Sequence, residues 1–286
     1  MAQFEKVVVT GGSGRLGRYV VDALSTRSDV TVVDLRPPRQ QVGFSDTSIL
    51  DLEGLKRVMR GHHAVIHLAA IPSPRNAAPE VVFATNVQGT WNVLEAASAS
   101  GISKVVLCSS ECATGLCYQN GERPPLYLPV DEAHRLRPTD PYSLSKQLGE
   151  AAGASFARRG GIEVVALRPT LILFPEQRHE IAERGDIAHS DLWSYVEPED
   201  VARAFHLALE REGPPFDTFF VSAADTLSPR PTLELVEHRF GHVPELKRPE
   251  LYAENPHAAI YDIAHARAAL GYEPVSDWRG LQGDGG

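Results

Sequence analysis

Lys6-Val-Val-Val-Thr-Gly-Gly-Ser-Gly-Arg-Leu-Gly17 decides the fold of this chain. Three consecutive valines read as a buried strand, and the glycines that follow end it. Two patterns overlap in the turn, Gly12-x-Gly14-x-x-Gly17 and Gly11-x-x-Gly14-x-x-Gly17, and a helical period then runs over about 14–25. Glycine at these places permits a tight turn, lets a pyrophosphate approach backbone N–H groups, and lets helix and strand pack closely. Such a string carries weight only between a strand and a helix inside a βαβ unit, which is its setting here.

Outward from this turn, short β-branched runs alternate with helical periods. Strands are predicted at 6–10, 30–34, 48–50, 64–70, 104–109, 163–168 and 218–222, and helices at about 14–25, 52–60, 79–100, 142–159 and 197–211. Pro79 stands at a first-turn position, and Gly61 and Gly101 stand where a helix C-terminal glycine belongs. Nearly all-apolar strands that alternate with helices imply a doubly wound, mostly parallel α/β sheet covered on both faces. The final third is rich in Pro, His and charge, with short helical pieces such as 262–270 ending at Gly271. The expected division is a dinucleotide-binding domain over 1–170 plus 196–222, and a small substrate lobe over 171–195 plus 223–286.

The 286 residues carry a formal net charge of −9, which argues against a nucleic-acid backbone as partner. The three cysteines, Cys108, Cys112 and Cys117, suggest no disulfide framework and fit no common zinc spacing, and the 11 His contain no H-x-x-x-H pair. No metal is expected. No apolar stretch approaches the ~20 residues of a membrane span, and the first strand begins too early for a secretory leader. The expected location is the cytoplasm.

Asp34 ends the second strand, where a carboxylate can accept hydrogen bonds from the adenosine ribose hydroxyls and repel a 2′-phosphate. That favours NAD over NADP, although the guanidinium of Arg36 could bind a phosphate. Asp51 either caps the next helix or also touches the adenine amino group. His67-Leu-Ala-Ala70 ends the fourth strand with small residues that let a cofactor lie flat. Asn86 lies inside a helix, where its amide faces solvent or a polar site. Ser109-Ser110 closes the fifth strand at the carboxyl edge, and Ser110 is placed to hydrogen-bond a reacting hydroxyl. In Pro141-Tyr-Ser-Leu-Ser-Lys146, Tyr142 and Lys146 share a helix face, so a cation can lower the phenol's pKa from its usual ~10. The phenol then becomes a usable proton acceptor for an alcohol.

Together these residues resemble the extended short-chain dehydrogenase/reductases, also called the NAD-dependent epimerase/dehydratase family, over nearly the whole chain. The resemblance also draws on Asn86-x-x-Gly-Thr90, Leu167-Arg-Pro169, Tyr195-Val-x-x-x-Asp200-Val-Ala and Asp262-Ile…Leu270-Gly-Tyr. It implies a Rossmann-type fold with Ser110, Tyr142 and Lys146 as catalytic set. Tyr142 would be the acid/base, Lys146 would hold the nicotinamide ribose, and Pro169 would pack near the nicotinamide. The implied NAD-binding residues are Gly11, Gly14, Arg15, Leu16, Gly17, Asp34, Asp51, Leu52, Leu68, Ala69, Ala70, Asn86, Ser109, Tyr142, Lys146 and Pro169. Family members often pair the helices near 79–100 and 142–159 into a homodimer, and the small residues Ala96, Ala97, Ala151 and Ala152 are expected on the outer face.

Three departures narrow the branch. The Asp-Glu pair that follows the Ser/Thr in the family's dehydratases is Glu111-Cys112 here. Arg168 and Tyr195 are only 27 positions apart, which leaves little room to enclose a nucleotide sugar. The segments around Ser110, 168–200 and the C-terminus look like the small uronate and aldose dehydrogenases. In those, Asn-His follows the serine, and a further serine stands where Pro72 precedes Ser73. A carboxylate at 111 disfavours a uronate unless another group offsets it, so a neutral aldose or polyol competes. The expected substrate contacts are Ser73, Ser110, Glu111, Cys112, Tyr142, Thr170 and Trp193, with Trp193 either walling the sugar or packing the lobe. Arg178, Arg184 and His189 either bind a substrate anion or are solvated charges. The expected function is NAD-dependent oxidation of a hydroxyl of a small sugar, sugar acid or polyol. The alternatives are an NAD-retaining sugar or nucleotide-sugar epimerase and a non-catalytic NAD-binding sensor.

Overall fold

A computed structural model describes residues 4–118, 123–177, 192–275 and 277. The first half runs β1 (Lys6–Thr10), α1 (Arg15–Ser25), β2 (Asp29–Asp34), β3 (Gly43–Asp46), α2 (Leu52–Met59), β4 (Ala64–His67), α3 (Pro79–Phe83), α4 (Gly89–Ala99) and β5 (Lys104–Cys108). Then come β6 (Tyr127–Leu128), α5 (Pro141–Arg159), β7 (Glu163–Pro169), β8 (Leu171–Ile172), β9 (Tyr195–Val196), α6 (Pro198–Glu210) and β10 (Phe216–Val221). The chain closes with α7 (Thr232–Phe240), β11 (Glu245–Leu246), α8 (Pro249–Glu254) and α9 (Ala264–Leu270).

Seven strands form one sheet in the order β10-β7-β5-β4-β1-β2-β3, with every pair parallel. Successive side chains leave opposite faces of a strand. On β1, Val7 and Val9 enter one core with α1 and α6, while Val8 enters the other with α2, α4 and α5; all three valines are fully buried. The chain builds outward from β1 through β2 to β3, then returns to add β4, β5, β7 and β10 on the other side. The switch between β1 and β4 opens a crevice at their carboxyl ends, the place where open α/β sheets bind ligands. Among the described residues no helix is long and apolar enough to cross a membrane.

Three expectations need correction. The third strand is Gly43–Asp46 rather than 48–50, pairing edge-on with β2 from Thr31↔Gly43 to Asp34↔Asp46. Its largely exposed Gly-Phe-Ser-Asp has no apolar run to advertise it. Ile49 instead turns inward, against the space a Cβ on Gly89 would need. The helix read at 79–100 is interrupted by a π-helical turn, Ala84–Gln88. Ala96 and Ala97 are fully buried in the core rather than on an outer face, and the apolar residues exposed along α3 and α4 are Val81, Phe83 and Trp91. The punctuation otherwise agrees: Pro79 opens α3, and Gly61, Gly101 and Gly271 have positive φ after their helices.

Candidate active site

The glycine turn is built by steric exclusion. Gly11 donates its N–H to Val33 O at 2.9 Å and has φ +72°, and a Cβ there would lie 2.5 Å from Ala69 N. A Cβ on Gly17 would lie 2.4 Å from Gly11 O and 2.5 Å from Gly12 O. The chain therefore seats α1 directly behind the turn, with its first N–H groups open toward the crevice. At the tip of β2, Asp34 accepts Ser13 N–H at 3.1 Å and Leu35 N–H at 2.7 Å, which fixes its carboxylate beside the turn.

A cleft of about 850 Å³ follows this edge of the sheet. Gly11, Gly14, Arg15, Leu16, Gly17, Asp34, Leu68, Ala69, Ala70, Ser109, Tyr142, Lys146 and Pro169 line it, as do Ser73, Ser110, Glu111, Cys112 and Thr170. Asp51, Leu52, Asn86 and Trp193 do not. Asp51 caps α2 by accepting Gly54 N–H at 2.9 Å, and Ser48, Ile49 and Leu50 line the wall ahead of it. The Asn86 amide accepts Ile71 N–H at 2.8 Å and donates to Ile71 O at 3.0 Å and to Ser145 Oγ at 3.1 Å, pinning the loop after β4 to α5. Trp193 is 1% exposed within the main core, so it packs rather than walls the cleft. Arg178, Arg184 and His189 lie outside the described residues.

Asp140 caps α5 by accepting Ser143 N–H at 2.9 Å, and Pro141 starts the helix, which sets Tyr142 on its first turn facing Ser110. Burial, together with the nearby Cys112, Cys108 and Glu111, pushes the Tyr142 hydroxyl well above the usual phenol range, and a hydrogen bond with Ser110 opposes the rise. This differs from the sequence expectation that Lys146 would lower it. Lys146 donates to Cys108 O at 2.7 Å, and its Nζ lies 5.5 Å from the Tyr142 ring centre. Burial pushes its ammonium down, with Cys108, Cys112 and Glu150 opposing. As a neutral phenol at ordinary pH, Tyr142 can give a proton; to take one it must first ionise.

Ser110 caps the short 3-10 turn Glu111–Thr114, accepting Cys112 N–H at 3.2 Å and donating to Glu111 Oε2 at 2.9 Å. The Glu111 carboxylate is 2% exposed, and its Oε1 accepts the Cys117 thiol at 3.6 Å. Glu111, Cys112 and Cys117 each hold a potential metal-ligand atom within 4.8 Å of the others, but hydrogen bonds with Ser110 and Cys117 already engage the carboxylate.

Two buried networks escaped the sequence reading. Glu150 receives both arms of Arg168, at 2.8 and 2.7 Å, and the Ser109 hydroxyl at 2.5 Å. Spacing alone puts Glu150 one turn beyond Lys146 on the same face of α5, but gives no sign of its pairing with Arg168. Thr10, His67 and Thr90 form a second chain, with the ring nitrogens of His67 at 2.7 and 3.0 Å from the two hydroxyls. Burial, aided by the Lys146 charge, lowers the His67 pKa to about 3, so the ring is neutral.

Comparison with known proteins agrees with this geometry. Residues 7–221 match the model of the NAD dependent epimerase/dehydratase family. An L-arabinose 1-dehydrogenase (NAD(P)(+)) from Haloferax volcanii is 33% identical over 247 residues, 82% of this chain and 95% of that protein. A uronate dehydrogenase from Pseudomonas syringae pv. tomato is 27% identical over 170 residues, 58% of each chain. Among solved structures, the Thermus thermophilus UDP-glucose 4-epimerase complex with NAD has a TM-score of 0.71 and 26% identity, covering 97% of this chain and 96% of that one.

Proposed function

The chain belongs to the NAD dependent epimerase/dehydratase family, and within it we propose an NAD-dependent oxidoreductase that oxidises a hydroxyl of a small sugar or related polyol. What carries this reading is Ser110, Tyr142 and Lys146 gathered on one cleft, in a chain that spans nearly the full length of an L-arabinose 1-dehydrogenase. The spaces at Gly11 and Gly17 that no Cβ could share suit a pyrophosphate laid against the turn. Gly11, Gly14, Arg15, Leu16 and Gly17 would hold that part, Asp34 the adenosine ribose, 68–70 the flat underside, and Tyr142, Lys146 and Pro169 the nicotinamide end. Asp34 favours NAD over NADP, because its carboxylate repels a 2′-phosphate. Bound NAD supplies a hydride acceptor at nicotinamide C4.

The protein's own part is to hold and deprotonate the alcohol. Ser110 orients the reacting oxygen, and Tyr142, once ionised, takes its proton. Lys146, next to Tyr142 along α5, offers a positive charge that steadies the anion. The 68–73 loop, which Asn86 pins, supports the cofactor side of the cleft, and Ser73, Glu111, Cys112 and Thr170 face the substrate. In this reading the described parts of 171–195 and 223–286 form the substrate lobe over the dinucleotide-binding part. The exposed Val81, Phe83 and Trp91 on α3 and α4 support a homodimer, which light scattering would check: a dimer mass is expected, and a monomer mass refutes it. The free cysteines fit the reducing cytoplasm.

The test is NADH absorbance with free aldoses, uronates and polyols. Tyr142→Phe should abolish turnover and leave NAD affinity nearly intact, and wild-type turnover in that variant would overturn the assignment. The likeness to UDP-glucose 4-epimerase supports a second reading, a cofactor-retaining epimerase using the same three residues. An oxidoreductase makes NADH in proportion to product, and an epimerase accumulates none.

A further inference from the structure

We propose that Glu150 is a positioning residue, which ties the strand ends carrying Ser110 and Pro169 to the helix carrying Tyr142 and so fixes Ser110 opposite Tyr142. This inference rests on the oxidoreductase reading and adds to it a residue that acts from beneath the cleft.

Glu150 and Arg168 are buried, and neither lines the cleft. The ladder between β5 and β7 runs to Cys108↔Leu167. Past that pair Ser109 N–H still reaches Leu167 O at 2.7 Å, and the strand ends continue as Ser109-Ser110 and Arg168-Pro169. Side chains then take over the joining. Glu150 Oε1 accepts the Ser109 hydroxyl at 2.5 Å and Arg168 Nε at 2.8 Å, while its Oε2 accepts Arg168 Nη2 at 2.7 Å. One carboxylate thereby joins α5, β5 and β7 at the residues immediately before Ser110 and Pro169. A forked guanidinium–carboxylate contact fixes direction as well as distance. A second rung lies one helical turn earlier, where Lys146 donates to Cys108 O at 2.7 Å. Tyr142 stands one turn earlier again, and its hydroxyl is hydrogen-bonded with Ser110. Three α5 residues spaced four apart therefore bond three consecutive residues of one strand end, 108, 109 and 110. Of these three rungs, Glu150 is the one that also reaches β7. Lys146 and Glu150 further share the lining of a polar cavity of about 20 Å³, and the Glu150 charge favours the ammonium.

Displacing a reacting group by about 1 Å can cost about a hundredfold in rate, so a clamp of this kind acts on turnover more than on binding. The test is Arg168→Met/Glu150→Leu in the full chain, which removes a net-neutral pair and exchanges both sides for apolar groups, a change that often leaves stability nearly unaltered. Crystals of wild type and variant with NADH bound read the distance from Ser110 Oγ to Tyr142 Oη directly. That distance should lengthen by at least about 1 Å in the variant. With D-galactose, L-arabinose and D-galacturonate as probes, kcat for NAD reduction should fall at least about tenfold, while NADH affinity by fluorescence titration stays within about threefold of wild type. Ser109→Ala, which cuts the bond to β5 and leaves the ion pair, should lower kcat at least about threefold, and it carries the crystallographic measurement if the double variant does not fold. Wild-type kcat or an unchanged Ser110–Tyr142 distance overturns the proposal. So does a loss of NADH affinity equal to the loss of kcat, which is the mark of a merely structural role. If no probe reduces NAD, the oxidoreductase reading fails by itself, and the Ser110–Tyr142 distance alone decides the role of Glu150.

Discussion

Replacing Arg168 with methionine should destabilise this protein by removing one side of a buried ion pair. The guanidinium makes two bonds to Glu150, 2.8 Å from Nε and 2.7 Å from Nη2, with the side chains 4% and 6% exposed. Burial alone would lower the Arg168 pKa, and the hydrogen bonds and charge of Glu150 more than reverse it. Methionine fills a similar volume but leaves the Glu150 carboxylate inside the protein, bonded to the Ser109 hydroxyl at 2.5 Å and no longer to the guanidinium. Breaking one side of a buried ion pair costs about 3–5 kcal/mol, whereas exchanging both sides for apolar groups is often neutral. The urea unfolding free energy of Arg168→Met should therefore fall by about 3–5 kcal/mol, and that of Arg168→Met/Glu150→Leu by about 1 kcal/mol or less. The two changes should be non-additive by at least about 2 kcal/mol in a double-mutant cycle. A loss under about 1 kcal/mol for Arg168→Met, or a double variant equal to the sum of the singles, would refute this account of the pair.

The remaining predictions are shorter. The folded His67 titrates at about 3 against an ordinary value of 6.5, so between these values the unfolded chain takes up its proton and the folded one does not. Stability from this site is therefore full above about pH 6.5 and declines by about 1.4 kcal/mol per pH unit down to about pH 3. Urea unfolding at pH 7 and pH 5 should show this loss, about 2 kcal/mol, in the wild type and not in His67→Gln; equal slopes would refute it. Gly17→Ala forces a Cβ to within 2.4 Å of Gly11 O, a backbone atom that cannot swing away. Fluorescence titration should show NAD affinity lowered at least about tenfold, and wild-type affinity would rule out the proposed seat. Because burial raises the Tyr142 pKa, its ionised fraction below that pKa grows about tenfold per pH unit, so the alcohol-oxidation rate should climb through the alkaline range. A profile flat from about pH 6 to 9 would place the proton elsewhere.

What could be read in the residues themselves was local. The strand ending in a glycine turn, Asp34 at the next strand end, and Tyr142 one helical turn from Lys146 each occupy a short stretch whose spacing fixes their mutual placement. Most of these side chains reached the cleft. What escaped depends on partners far along the chain. β3 is an edge strand with half-polar composition, so nothing in its own residues distinguishes it from the 48–50 run. Arg168 was visible as part of a motif, but its partner Glu150 appears only when β7 lies against α5. Trp193 shows the limit in reverse, since a large aromatic near a suspected site is indistinguishable in sequence from one that fills the core. The raised Tyr142 pKa is of the same kind: the lysine can be read from the spacing, and the depth of burial cannot.

The π-helical turn at Ala84–Gln88 makes chain length part of how the cleft wall is held. A helix advances about 100° per residue, so one extra residue in a turn rotates everything beyond it relative to everything before it. Here that offset lets Asn86 bond both the N–H and the C=O of Ile71 while Gly89 slides past Ile49 and Asn92 reaches Ile49 O at 3.1 Å. Shortening the segment by one residue would swing one of these two grips a quarter-turn away, with every side chain still present. A copy of this helix with the right letters and the wrong count could satisfy the loop or the core, but not both.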